Sequence, residues 1–486
     1  LLSMTFFFEA VKETFAIVKL KTKEEGTLPM KMENDLGQDS IWKLVLRLAL
    51  PAMAAQFINV LYSIVDRIYI GNIPGEGSLA LAGAGICGPI VTLLSSFGTL
   101  VGLGGSILMA MRMGEGKLEK ARQILANCFF LLILFSAILT VLFLLSKDTL
   151  LFWFGASEAT FPYADTYLTI YTGGTFFALM AMGLNYFITC QGFARIGMFT
   201  VVLGALANLI LDPIFIFVFD LGVAGAAIAT VLSQLLSCIF AVSFLFGKRA
   251  PVTISFGNYN RRLMTQILSV GLPPFLILAT DSLILIILNT VLSKTGGNEA
   301  DLLITAVTIV QSYMAMITGP MLGISSGTQA IISYNYGACQ LDRVRQAEKK
   351  ILLLCLAFTA FMFLVSRLLP EFFVRLFTRD AAAISVSVWG IHTFTLEIIP
   401  LSFQYVLVDG LTAMGRTKTA LILSILRKGT YITAAVVLAV LVSARSSFYA
   451  EPLSDLFSAA VSTTVFLLVF EKHLEKRKKE RIPDAG

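Results

Sequence analysis

Twelve long apolar runs dominate this sequence and limit what it can fold into. Each run is long enough to cross a hydrocarbon layer of about 30 Å at about 1.5 Å per helical residue. Of the 486 residues, 57% are hydrophobic and 14% are charged, which is typical of a polytopic membrane protein. The sequence therefore predicts an all-α membrane protein whose twelve transmembrane helices lie at about 45–70, 82–111, 124–146, 164–190, 196–219, 222–246, 266–293, 302–334, 350–369, 386–413, 417–443 and 447–470.

The chain repeats itself at a constant offset of 223 residues. The matching pairs are Pro51 with Pro274, residues 111–122 with 334–345, Phe154 with Phe377, and Gly192 with Gly415. Because each half holds an even number of spans, both halves enter the membrane in the same direction. We therefore expect two pseudo-symmetric six-helix lobes around a central cavity, the usual architecture of an alternating-access transporter.

The spans and the repeat together predict the domain organisation. We expect a peripheral amino-terminal arm at 1–40, a first lobe at 41–246, a cytoplasmic linker at 247–265, a second lobe at 266–470 and a basic tail at 471–486. Most of the 37 lysines and arginines lie at the termini and in the loops on the amino-terminal side, which predicts that both termini are cytoplasmic. The tail has no interleaved aromatic residues, so we expect it to contact anionic lipid and not nucleic acid.

The fifth span contains a polar cluster that a membrane helix does not need. Asn208 and Asp212 stand four residues apart, so they share one helix face. Pro213 has no N–H to donate to the carbonyl of Leu209, which leaves one more oxygen free beside them. An ionised Asp at bilayer depth costs about 3 kcal/mol, so it requires partners or a water-filled cavity. The cluster suits a hard cation or a proton, and the alternative is a polar pair that holds helices together.

Comparison of the two halves separates this cluster from features that serve the fold. At the offset of 223, Asp66 falls on Asn289 and Asp212 falls on Ala435, so the acids belong to the first lobe alone. Asp66 in span 1 lies about 7 Å below the outer end of its helix, and Asp212 and Thr230 lie about 12 Å below theirs. The sequence therefore predicts that these groups meet in the outer half of the first lobe.

Several sequence phrases, in order along the chain, resemble the bacterial branch of the multidrug and toxic compound extrusion (MATE) transporters. They are LALPAMAAQFINVLYSIVDRIYIG, MRMGEGKLEKA, LANLILDPIFIF followed by LGVAGAAIAT, and AIISYNYGA. The resemblance covers residues from about 40 to 470. It implies secondary active export of bulky, often cationic drugs across the inner membrane, in exchange for Na⁺ or H⁺, with no cofactor beyond that ion.

The resemblance also implies roles for individual residues. In family members with an acidic first-lobe site, a span 1 Asp, a span 5 Asn and Asp, and a span 6 Thr bind Na⁺ or are protonated. Those positions match Asp66, Asn208, Asp212 and Thr230 here. Pro51 matches a proline that is linked to bending of span 1 in such proteins. Two close carboxylates either hold Na⁺ or share a proton, so the sequence does not separate the two ions.

Polar, aromatic and Met side chains near these acids suit a tolerant drug cavity, although ordinary helix packing is the alternative for each of them. The predicted cavity residues are Gln56, Asn59, Tyr62, Met180, Asn185, Asp281 and Glu397. Some relatives place coupling acids in the second lobe, so a second ion site at Asp281, Glu397 or Asp409 stays open. We expect Arg427 and Lys428 in span 11 to neutralise one of those acids.

Other classes of protein fit the sequence less well. No nucleotide-binding motif appears, so transport is not driven by ATP within this chain. Paired histidines or a metal box are not visible, so we expect a transporter that is not an enzyme, acting as a monomer in the bilayer. A lipid-linked precursor flippase of the same superfamily is the alternative function, and it should show more cavity arginines.

Overall fold

The computed structural model describes residues 34–481, except for the side chains at 282, 283, 285, 286, 301 and 481. The predicted amino-terminal arm therefore lies outside the described residues up to position 33, as does the tail beyond position 481. The helices are α1 (Ile41–Gly71), α2 (Gly77–Gly114), α3 (Leu118–Trp153), α4 (Phe161–Gly173), α5 (Thr175–Cys190), α6 (Ala194–Pro213), α7 (Gly222–Phe246), α8 (Arg261–Thr295), α9 (Ala300–Gly337), α10 (Leu341–Leu368), α11 (Pro370–Val374), α12 (Ala381–Phe394), α13 (Ile398–Ala413), α14 (Thr417–Leu441) and α15 (Ala450–Arg481).

Ten helical segments in the described part of the chain are long and apolar enough to cross a membrane. Two further spans are broken, since α4 and α5 form a pair bent by 56° and α12 and α13 form a pair bent by 50°. This gives up to twelve spans, as the sequence predicts, but spans 4 and 10 are not single straight helices. The first break falls at Gly173 and Gly174, and the second follows Thr395, whose hydroxyl donates to the Ile391 carbonyl 2.7 Å away.

The bounds of the helices follow the repeat. Helix α9 begins and ends 223 residues after α2, and α13 begins and ends 223 residues after α5. The connections keep the same conformation, because Gly192 and Gly415 have φ of 91° and 82°. The matched bounds and connections show that the two lobes share one arrangement of helices.

The two lobes touch closely on the side of the molecule where both described ends of the chain lie. We call this side the termini face and define it by Asn34, Glu115, Gly192, Gly337 and Arg477. Asn34 donates to the Gly192 carbonyl at 2.7 Å, and Arg477 of α15 contacts Glu115, which follows α2, at 2.8 Å.

Backbone packing closes the termini face. A Cβ added to Gly114 would lie 2.0 Å from the Tyr334 carbonyl oxygen, and one added to Gly337 would lie 2.1 Å from the Met111 carbonyl oxygen. Only glycine permits two helix backbones to approach this closely. Helices α2 and α9 therefore seal the two lobes together at this end.

A cavity of about 1810 Å³ separates the lobes toward the opposite face. Its lining reaches Gly71 and Asn72 at the far end of α1, and Leu376 and Phe377 after α11. In this conformation the cavity is therefore open away from the termini face.

Candidate functional site

The acidic cluster of the first lobe is assembled mainly by α6 and α7. The Asn208 amide donates to Asp212 Oδ1 at 2.9 Å and lies 3.5 Å from the Thr230 hydroxyl. Thr230 in turn donates to the Ala226 carbonyl at 3.0 Å. Asn208 and Asp212 are 3% and 1% exposed, so this polar contact is shielded from solvent.

Local backbone geometry explains how α6 and α7 come together there. The α-helical part of α6 ends at Pro213, and the next five residues, Ile214–Val218, form a π-helical turn. Such turns are rare and occur mostly at functional sites. A Cβ on Gly225 of α7 would lie 2.6 Å from the Phe215 carbonyl carbon, so α7 packs directly on the π turn. This contact brings Thr230 to the level of Asn208.

Helix α1 adds a second carboxyl group to the cluster. Asp66 and Asp212 lie within side-chain hydrogen-bonding range of each other. Asp66 Oδ1 and Asp212 Oδ2 are buried and have no hydrogen-bond donor among the described residues. Two carboxylates accept hydrogen bonds but donate none, so a bound proton or a hard cation is needed to stabilise such a contact. The four predicted residues are thus neighbours, and their oxygen atoms fit either ion.

Tyrosines of span 4 enclose this site, and the sequence analysis did not identify them. Tyr167 and Tyr171 stack with ring centroids 6.3 Å apart and line the cavity beside Tyr62. The Gln234 amide donates to the Tyr171 hydroxyl at 3.2 Å, and Ser95 Oγ lies 3.4 Å from the same hydroxyl. Tyr167 and Tyr171 stand four residues apart, and that spacing on one helix face was the available signal.

Most of the residues predicted for the cavity lie on its surface. Gln56, Asn59, Tyr62, Asn185 and Asp281 all line the cavity. Their roles in substrate binding stay a prediction.

The prediction is wrong in placing Met180 and Glu397 on the cavity surface. Met180 is fully buried in the hydrophobic core of the first lobe, while Met182, two residues on, points to the cavity. Glu397 lies at the break between α12 and α13, away from the lining.

Pro51 lies within α1, which continues unbroken from Ile41 to Gly71. Just after it, a Cβ on Gly323 of α9 would lie 2.8 Å from the backbone of Ala52. The first helix therefore packs closely on the second lobe beside Pro51. Whether α1 bends there stays a prediction.

Several charges on the membrane helices of the second lobe are paired with one another. Lys428 forms an ion pair with Asp281, and Arg427 contacts Asp455 at 2.9 Å and Glu451 at 3.1 Å. We expected Arg427 and Lys428 to neutralise one of the acids Asp281, Glu397 and Asp409. Lys428 does so for Asp281. Whether Asp281 takes part in a second ion site stays a prediction.

Comparisons with known proteins agree with this architecture. The family model described as MatE matches residues 51–214 and 273–437, one block in each lobe. This chain belongs to the MatE family.

Among relatives, the multidrug export protein MepA of Staphylococcus haemolyticus (strain JCSC1435) is 24% identical over 392 residues, which are 80% of this chain and 85% of MepA. MepA of Staphylococcus aureus (strain N315) is 23% identical over 390 residues, which are again 80% of this chain and 85% of MepA. These relatives are multidrug exporters, and no observation favours the flippase alternative.

Two solved structures share the fold. An outward-facing multidrug resistance MATE family transporter of the MOP superfamily has a TM-score of 0.82 at 23% identity, covering 91% of this chain and 98% of that one. A MOP superfamily transporter from Pyrococcus furiosus Vc1 (DSM3638) has a TM-score of 0.84 at 23% identity, covering 90% and 98%.

Proposed function

We propose that this protein is a secondary active multidrug efflux antiporter that exchanges bulky, often cationic drugs for Na⁺ or H⁺. It acts as a monomer in the bacterial plasma membrane, with the termini face toward the cytoplasm. The observation that carries the proposal is the pair of neighbouring carboxyls at Asp66 and Asp212 beside a large interlobe cavity, where Asp66 Oδ1 and Asp212 Oδ2 have no donor among the described residues. Membership of the MatE family supports it.

The coupling step takes place at the first-lobe acids. When a proton or Na⁺ binds, it neutralises the repulsion between Asp66 and Asp212 and draws α1 toward α6. Na⁺ would be held by Asp66, Asn208, Asp212 and Thr230, which supply oxygen ligands. When the ion leaves, the repulsion returns and α1 is released. One charge that moves down 100 mV supplies about 2.3 kcal/mol, which is enough to bias two conformations by roughly fiftyfold.

The drug travels in the interlobe cavity. Its lining combines aromatic, Met and amide side chains, including Tyr62, Met182 and Asn185. Such surfaces accept guests of varied shape, because aromatic and Met side chains give contact area without a fixed pattern of hydrogen bonds. A closed termini face and an open opposite face correspond to the state that releases drug to the outside.

Ethidium efflux from energised vesicles tests this proposal. Wild type, Asp66→Asn and Asp212→Asn are compared under a Na⁺ gradient and, separately, under a pH gradient. We expect one gradient to drive efflux in the wild type and both variants to lose it, because Asn keeps the size of Asp but cannot be ionised. The gradient that drives efflux identifies the coupling ion.

Asp148→Asn is the matched control, because it makes the same chemical change at an exposed position of the first lobe. This control should transport at the wild-type rate. Full efflux by Asp212→Asn, with normal membrane levels, would show that coupling does not use this site.

A further inference from the structure

A second pair of acids is buried in the second lobe, and the first-lobe site does not explain it. Glu348 of α10 is 4% exposed, and neither of its carboxylate oxygens has a hydrogen-bond partner in the part of the chain that the structure describes. Asp409 of α13 is its neighbour and accepts a hydrogen bond from Ser325 of α9. Three helices therefore converge on two carboxyl groups.

The backbone of α13 is shaped around Glu348. A Cβ added to Gly410 would lie 2.4 and 2.5 Å from the two Glu348 carboxylate oxygens. The carboxyl group thus rests on the bare Cα of Gly410, in a space that a side chain at this position would fill. This close packing leaves Glu348 without access to bulk water.

Gln329 of α9 connects the acids with the central cavity. It lines the cavity but is only 2% exposed, and it lies beside the Asp409 carboxyl. Neither its amide nitrogen nor its amide oxygen has a hydrogen bond of good geometry among the described residues. A buried amide whose hydrogen bonds are unmade, next to two acids, requires an explanation that packing alone does not give.

The charged and titratable surroundings of this pair are few. Asp409 is the titratable group that acts on Glu348, and Asp409 itself interacts with Tyr186 of α5 and Cys355 of α10. These neighbours are acidic or neutral, and none is a cation. Two ionised carboxylates in such surroundings would repel each other and would lose their hydration without compensation.

We propose that Glu348 and Asp409, with Ser325 and Gln329, form a second proton-binding site at the end of the cavity near the termini face. Glu348 carries a proton in the conformation described here, because the neighbouring Asp409 and the lack of water disfavour its ionisation. The site is distinct from Asp66 and Asp212, because it lies in the other lobe. This inference goes beyond the proposed function and does not depend on it.

Infrared difference spectroscopy of the purified full chain in lipid nanodiscs tests the proposal. The C=O stretch of protonated carboxyl groups is recorded at about pH 7, where a carboxyl in water is ionised. We expect Glu348→Gln to remove part of the wild-type band. Glu299→Gln, the same change at an exposed position of the second lobe, should leave the band intact.

Two results would overturn the proposal. One is an identical band in wild type and Glu348→Gln, and the other is loss of this part of the band when Na⁺ is added, which would assign the site to a metal cation. If Glu348→Gln does not fold, Asp409→Asn gives a second measurement. A shifted band in that variant supports a proton on Glu348 beside Asp409, and an unchanged band contradicts it.

The measurement involves no transport. If the Glu348 band is not found, the efflux experiment with Asp212→Asn can still be interpreted. If antiport is not found, the infrared band can still be measured.

Discussion

At the scale of single residues, the charges inside the described helices fall into two groups. Some are compensated, as in the contact of Arg427 with Asp455 and Glu451, where Asp455 is 0% exposed. Others are acids without a cationic partner in direct contact, as at Asp212 and Glu348. The first group holds helices together. Burying the second group in ionised form costs free energy that no counter-charge offsets, so ion binding is expected there.

The compensated group leads to a prediction about stability. Arg427→Met should destabilise the fold by about 3–5 kcal/mol, because it leaves two buried or half-buried acids without a counter-charge. The midpoint of thermal unfolding in detergent measures this loss. Lys428→Met is the matched control, since its partner Asp281 is exposed and tolerates ionisation alone. Equal midpoints for the two variants would contradict the prediction.

The candidate site could be predicted from the sequence only in part. Asp66 and Asp212 were identifiable because an acid in an apolar run is conspicuous, and the repeat showed that the second lobe lacks them. Glu348 was not identified, because it stands near the basic start of its span, where a charge is ordinary. Its isolation comes from Gly410, sixty-two residues further along, and only the packing of three helices shows that contact.

At the scale of helices and turns, the junction of α6 and α7 positions the first-lobe acids. The π turn at Ile214–Val218 widens the end of α6, and Gly225 allows α7 to lie against it. A shift of either element would move Thr230 away from Asn208. The geometry of the site therefore depends on Gly225, which is not one of the four candidate ligands.

Gly225→Ala should destabilise the protein by about 1–3 kcal/mol, because the added methyl group clashes with the backbone of the π turn. Gly429→Ala is the matched control, since a Cβ there meets no atom within 4 Å and α14 gains up to about 1 kcal/mol from the better helix former. Thermal unfolding of the two variants measures the contrast. A destabilised Gly429→Ala beside an unaffected Gly225→Ala would refute this account of the junction.

Helix existence was easier to predict than helix continuity. The apolar runs located the candidate spans of the described residues, since length and hydropathy are the main signals of a transmembrane helix. The breaks in spans 4 and 10 depend on hydrogen bonds and packing that do not alter hydropathy. Which face of a span lines the cavity likewise depends on packing, and for this reason the cavity surface was predicted less well than the fold.

At the scale of the whole molecule, one carboxylate joins the lobes at the termini face. Glu115 accepts hydrogen bonds from Arg112, Lys117 and Arg477, of which Arg477 belongs to the second lobe. Burial alone would raise the pKa of Glu115, but the three cationic donors outweigh it and lower the pKa from 4.5 to about 2. The contact is thus ionised, and present, throughout the physiological range.

This interlobe contact has a predictable pH dependence. Because the folded pKa of Glu115 is depressed, its stabilisation is complete above about pH 4.5 and is lost as the pH falls through about 2. Glu115→Gln should therefore unfold at a lower temperature than wild type by a constant margin near neutral pH, and the margin should shrink in acid.

Thermal unfolding at a series of pH values measures that margin. Glu119→Gln, at a largely exposed position, is the control and should match wild type at every pH. A margin for Glu115→Gln that grows as the pH falls would contradict the assignment.

The matching helix bounds of the two lobes have a consequence for engineering. Asn289 and Ala435 occupy the positions of Asp66 and Asp212 at the offset of 223, and the buried Asn289 Oδ1 has no hydrogen-bond partner among the described residues. The counterparts of Asn208 and Thr230 are Tyr431 and Leu453, so three of the four positions have lost their polar ligand in the second lobe. Asn289→Asp together with Ala435→Asp would give a transporter with two-fold symmetric acids, obtained without adding or deleting a residue.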